Sequence, residues 1–210
     1  MSMILRRTFV VAGVAAIALP RLARAAEASE VAAPIVALNA ALVQAMREGP
    51  KTTFLQRFDL LAPDIDRAFD LPDILRVSVG LIYPNLLDAE RETLLTVFRR
   101  FTIASYVANF DSFDGERFEV LPGLRKTGRD EVVSTRLIPA TGQPIRLDYV
   151  MRYTEGGGWR AVDVLLDGTI SRVAVQRSDF RALLAQGTAH RLIATLQKKI
   201  VDLSGGQMAS

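Results

Sequence analysis

The spacing of apolar and polar positions changes character twice along the chain. From Val31 to Arg47, Ile35, Leu38, Leu42, Val43 and Met46 recur close to helical spacing, and Gly49-Pro50 closes the run. Thr52 and Thr53 offer caps for a helix over Phe54–Leu61 that stops before Pro63, and Asp64–Phe69 adds a further turn. Pro72 opens a helix through Ile74, Leu75 and Val79, ended by the stretch Gly80 to Pro84. Asp88 then reads as an N-cap, with Glu90 and Glu92 in a first turn where the helix dipole favours acids. The longest helix follows, to about Phe110. Leu94, Val97, Phe98, Phe101, Ala104, Ser105 and Ala108 share one face of it, while Arg91, Arg99 and Arg100 lie off that face. Such an amphipathic helix packs on a sheet.

After Glu116 the period shortens. Arg117–Leu121, Glu131–Ile138, Pro144–Tyr153, Trp159–Leu166 and Thr169–Val175 are short and rich in β-branched or aromatic residues. Pro122-Gly123, Ala140–Gln143, Gly156–Gly158 and Asp167-Gly168 separate them, and Asp-Gly between apolar runs marks a hairpin. In the third run Ile145, Leu147, Tyr149 and Met151 alternate with Arg146, Asp148, Val150 and Arg152, the pattern of an antiparallel strand with one buried face.

The end is helical again. Ser178 is placed to cap Asp179–Leu184, and Thr188 to cap a last helix with Leu192, Ile193, Leu196 and Ile200 on one face. Residues 204–210 are polar and Gly-rich and read as a flexible tail. Helices, a meander, then helices predict an α+β fold: a twisted antiparallel sheet of about five strands with helices packed on one face.

The N-terminus reads as an address. Arg6-Arg7 precedes an apolar run from Phe9 to Leu19, Pro20 ends it, and Ala23-Arg24-Ala25 supplies small residues for cleavage. The run is about 11 residues, where spanning a bilayer takes about 20. Residues 1–25 are therefore expected to be a cleaved signal peptide, 26–203 one domain, and no later segment is expected to span a membrane. Twin arginines before Thr8-Phe9-Val10 resemble a Tat signal; a Sec signal stays open.

The same residues explain the charge. The formal net charge is +3, and four of the 26 Lys and Arg fall in the first 25 positions, leaving 22 against 23 Asp and Glu. That near-neutral remainder has no clustered basic excess, so no nucleic-acid partner is expected. The chain has no cysteine, which excludes disulfides, thiolate ligands, a cysteine nucleophile and a lipoprotein anchor on cysteine. His190 is the single histidine and no ligand cluster surrounds it, so no metal is expected. Gly156-Gly157-Gly158 joins two strands and is a turn rather than a phosphate loop.

Several of these stretches carry a family likeness. They are Phe69-Asp70-Leu71-Pro72, Tyr106-Val107-Ala108-Asn109-Phe110, Pro144-Ile145-Arg146-Leu147-Asp148-Tyr149, Trp159-Arg160-Ala161-Val162-Asp163-Val164 with Asp167-Gly168 and Ser171, and Arg177-Ser178-Asp179-Phe180. In this order behind a signal peptide they resemble the MlaC family, the toluene-tolerance auxiliary proteins, and are similar to its hopanoid-associated HpnM branch. The likeness covers roughly residues 33–203. Val175-Gln176 departs from it, since an Asn-Tyr pair is usual there.

The resemblance implies a fold related to NTF2-like proteins and a periplasmic carrier of phospholipid or a hopanoid-type lipid. Its partners would be an inner-membrane ABC lipid-transport complex and an outer-membrane lipoprotein complex, with no catalytic site and no cofactor. A lipid tail needs a cavity of apolar groups. Leu147, Tyr149, Met151, Val162 and Val164 on the sheet, opposite Leu75, Phe98 and Phe101, are the expected lining, although filled core and open pocket look alike in sequence.

The alternative is an exported NTF2-like enzyme acting on a small apolar substrate. Asp148 or Asp163 would be its acid, with Tyr149 or Tyr153 as hydrogen-bond donor. The plainer role for these acids is an ion pair with Arg146, Arg152 or Arg160, and for Arg177 and Asp179 a cap and ion pair. A scaffold with a filled core is the third reading.

Overall fold

A computed structural model describes residues 19–185 and 187–209. Most of the expected signal peptide lies outside them. Helix α1 (Leu19–Glu48) runs through the expected cleavage site. Its stretch Ala26–Glu48 is long and apolar enough to cross a membrane, contrary to the expectation for the segments after residue 25. Here that length serves the core: Val31, Ile35, Leu38, Leu42 and Ala45 are fully buried, and the helix crosses the sheet, touching β1 (Arg117–Val120), β3 (Asp130–Ile138) and β5 (Trp159–Leu166).

Thr53 starts α2 (Phe54–Ala68) as expected, with a reciprocal cap: Gln56 N–H donates to Thr53 Oγ1 at 3.2 Å and Thr53 N–H donates to Gln56 Oε1 at 2.8 Å. Pro63 does not stop this helix. Its ring sits on the exposed side, where the carbonyl deprived of its donor can turn to water. Asp70 caps α3 (Leu71–Val79), accepting from Asp73 N–H at 3.1 Å, and Gly80 ends it at φ 71°.

Helix α4 (Asp88–Asn109) has Asp88 as its first residue rather than its cap. Glu90 does the capping work, accepting from Leu87 N–H, and its other oxygen accepts from Ala189 N–H at 3.1 Å. That second bond orders the start of α6 (His190–Leu203), whose N-cap is Ala189 with no side-chain cap, so Thr188 does not serve as the cap that its position predicts. After α6 the chain turns back on itself: Ser204 and Met208 are buried, and Phe54 N–H donates to Gln207.

The sheet is antiparallel, ordered β1-β3-β4-β5-β6, with β4 spanning Ile145–Tyr153. The short strand β2 (Arg125–Thr127), absent from the sequence reading, also pairs with β3. Asp167 and Gly168, at φ 52° and 72°, make the expected hairpin into β6 (Ile170–Ser171). The run Thr169–Val175 is not a strand beyond that point. Ser171 Oγ accepts from Ala174 N–H and starts α5 (Arg172–Arg181), so Ser178 lies inside a helix and caps nothing.

The core is continuous. α1, α2 and α3 touch the sheet, whose core face carries Val133, Tyr149, Met151 and Ala161, and α5 and α6 extend the same cluster. The long helix α4, whose amphipathic pattern predicts packing on the sheet, packs chiefly on α6 and α2 instead, because its apolar positions meet those helices; its end reaches the sheet through Phe110 on Phe118 of β1. The opposite face of the sheet carries Asp130, Arg146, Asp148 and Arg152.

Candidate functional site

Register decides which side chains meet over the sheet. On β4 and β3, Tyr149 lies opposite Val133 and Leu147 opposite Thr135. Between β4 and β5, Tyr149 pairs with Val164 and Met151 with Ala161, and the register shifts between Val150 and Met151. The extra residue is Val162. A bulge of this kind breaks the period of two, so Val162 no longer shares a face with Val164. Val162 is buried, but outside the main core. The residue facing the helices in its place is Ala161.

Of the eight residues expected to line a cavity, Leu75, Phe98, Tyr149 and Met151 are buried together in the core, and Phe101, Leu147 and Val164 pack against it half-buried. Phe101 turns toward α6, where Lys199 Nζ sits 5.8 Å from its ring centroid. The fully buried positions of α4 include Ile103 and Val107, which the sequence reading left off the packed face.

An aromatic seam runs through this interior. Phe69 is its centre, 5.7 Å from the Tyr106 ring and 6.3 Å from Tyr149; Tyr106 stacks on Phe110 at 6.0 Å, and Phe110 meets Phe118 at 6.0 Å. Phe69 is held there because it bridges to Ala161, and Asp70 N–H donates to the Ala161 carbonyl at 2.9 Å. Burial pushes both phenols upward: Tyr106 and Tyr149 are far more weakly acidic than ordinary tyrosines. Both rings are therefore neutral and present no charge to the apolar interior.

The acids sit elsewhere. Asp148 is fully buried on the opposite face, accepting from Arg146 Nε and Nη2 at 2.9 and 2.8 Å and from Arg125 Nη2 at 3.2 Å. Burial by itself raises its carboxyl. Hydrogen bonds from Arg146 and Ser134, the Arg146 charge and Arg125 outweigh that and leave it below the usual range. Asp163 accepts from Ser171 Oγ at 2.5 Å and from Val173 N–H at 3.1 Å, which ties β5 to the start of α5. Arg152 does not reach Asp148; it bridges Asp130 at 2.7 Å and Asp73 at 2.8 Å. Asp148 is thus ion-paired with Arg146, one of the expected partners, whereas Asp163 forms no ion pair among the described residues and holds the Ser171 hydroxyl and the Val173 amide instead.

Arg177 forms no ion pair with Asp179 among the described residues, because helix positions two apart face different ways. Its guanidinium lies over Gly80 instead. His190 is exposed at the head of α6, 3.6 Å from Glu90, and no group of metal-ligating side chains occurs among the described residues. An open surface depression of about 300 Å³ lies between Glu30, Pro34, Trp159 and Arg160, and none of the eight expected lining residues borders it.

Comparison with known proteins places this geometry. A family model described as MlaC protein matches residues 36–198. Among solved structures, the chain is similar to a phospholipid-binding protein from Ralstonia solanacearum in complex with a phospholipid, with TM-score 0.70 and 16% identity. That match covers 84% of this chain and 97% of the other. No curated protein matches the sequence.

Proposed function

The chain belongs to the MlaC family, and from that premise we propose that it is a periplasmic carrier that encloses phospholipid acyl chains between its sheet and its helices. It exchanges that cargo with an inner-membrane ABC transport complex and an outer-membrane lipoprotein complex. The observation that carries the reading is the family match over residues 36–198, and the continuous apolar cluster that joins Val133, Tyr149, Met151 and Ala161 of the sheet with Leu75 and Phe98 of the helices supplies the apolar surface it needs. The basic pair, apolar run and small residues within 1–25 support export.

The physics of such a site is simple. Burying an acyl chain gains about 0.8 kcal/mol per CH₂, so two chains are held firmly without any specific chemistry. In the closed protein the same apolar side chains satisfy one another. Loading exchanges one set of apolar contacts for another and requires the helical layer to part from the sheet. Release then requires a partner that stabilises the parted form.

The enzyme reading has less support. It needs an acid and a tyrosine in one pocket, and Asp148 is locked by Arg146 and Arg125 on the face opposite Tyr149. The test is transfer of fluorescent phospholipid from donor vesicles to the purified mature protein. A carrier takes up lipid with saturable stoichiometry. A protein that leaves the vesicles untouched is not one.

A further inference from the structure

Asn39 is the one buried side chain among the described residues whose polar atoms all lack a partner: neither Nδ2 nor Oδ1 makes a hydrogen bond, and the residue is 6% exposed. The contrast with the other buried polar groups is sharp. Thr135 Oγ1 donates to the Leu147 carbonyl, Ser78 Oγ to Gln176, and Ser204 Oγ to the Val201 carbonyl, while Asp130 and Asp148 are held by arginines. Arg57 Nε is also unpaired, but its Nη1 reaches the Val107 carbonyl at 3.5 Å. A buried carboxamide with nothing to bind is costly, and one that a fold retains asks for a partner that arrives from outside.

Its setting identifies the partner. Asn39 lies midway along α1, between Leu38 and Leu42 and one turn from Ile35, all fully buried, on the helix that crosses β1, β3 and β5. A ligand reaching it there is itself largely apolar. The Nδ2 group offers two N–H donors and needs an acceptor. A phospholipid carries such acceptors at one place along its apolar length, the ester carbonyls that join the acyl chains to glycerol.

Resting on the carrier reading, we propose that Asn39 is the polar anchor of the bound lipid, donating from Nδ2 to an acyl-ester carbonyl and so fixing how deep the chains sit. Oδ1 accepts from water drawn in with the glycerol end. The chemistry recognised is the ester linkage, independent of the head group.

Ester and ether phospholipids of equal chain length and identical head group separate this role from plain packing, since an ether oxygen is a far poorer acceptor. Competition between the diester and diether forms, read by native mass spectrometry, is made with wild type, Asn39→Leu and Asn39→Ala. Wild type is expected to favour the diester about fivefold to tenfold, the worth of one net hydrogen bond. Both variants are expected to bind the two lipids equally, and lipid-free Asn39→Leu to melt at or above the wild-type temperature. Wild type that does not distinguish the two lipids, or variants that keep the preference, overturns the anchor while leaving the carrier standing. Wild type that binds neither lipid overturns the carrier reading itself.

Discussion

Asp148 and Tyr149 are adjacent on β4 and serve opposite faces of the sheet: the carboxylate is held by Arg146 at 2.8 Å, and the phenol ring lies 6.3 Å from Phe69 inside the core. This division separates what holds the sheet from the face that the proposed carrier would turn to its cargo, and the two can be tested apart.

Asp148→Ala should lower stability by about 2 kcal/mol in urea unfolding. The loss is moderated because Arg146 and Arg125 are 49% and 54% exposed and can turn to water. The folded carboxyl titrates below the unfolded one, so its stabilisation is present above the ordinary aspartate range and is lost as pH falls through the folded value. Asp148→Asn should therefore flatten the acid limb of the stability curve and leave lipid uptake unchanged. Loss of uptake in a folded Asp148→Asn protein would mean that this face takes part in function.

Tyr106 and Tyr149 give the alkaline limb. Their folded pKa values lie above the unfolded value, so their contribution is complete below about pH 10 and declines as pH rises beyond it. Thermal melts across that range should fall, and Tyr149→Phe should fall less steeply. Ultraviolet titration should show these phenols ionising only with unfolding.

Val162 and Val164 provide a matched pair across the bulge. Val164→Asp, which puts a charge beside Tyr149, should abolish lipid uptake in protein that still shows a folded circular dichroism spectrum. Val162→Thr should keep uptake near wild type. Equal effects at both positions would place the cargo somewhere other than the helix-facing side.

Gly49 permits a close approach, since a Cβ there would come 1.9 Å from the Asp111 carbonyl oxygen. Gly49→Ala should cost on the order of 1–3 kcal/mol by forcing α1 and the chain after α4 apart. Chemical denaturation measures it directly.

Much of this arrangement is legible in the sequence, because the main strand carries its own pattern. Leu147, Tyr149 and Met151 alternate with Arg146, Asp148 and Arg152, and Asp167-Gly168 marks the hairpin from β5 into β6, so the antiparallel sheet and its buried face follow from residue order. The bulge at Val162 leaves no such mark. Ala161, Val162 and Val164 are all apolar, and only the pairing of Met151 with Ala161 reveals which of them face inward.

The same limit applies to α5. Thr169–Val175 is β-rich by composition, and what turns it helical is Asp163, eight positions before Ser171, accepting from the Ser171 hydroxyl and the Val173 amide. Asn39 was equally unreadable, since a single asparagine in a helical run is ordinary until its burial is known. Local spacing reports periods, whereas partners contributed from another element leave no local trace.

The central claim is that this interior holds a phospholipid. Native mass spectrometry of the protein isolated from the periplasm, followed by organic extraction and identification of the released molecule, tests it most directly. The account predicts one phospholipid per chain. A protein that emerges empty and takes up no lipid from vesicles would contradict it.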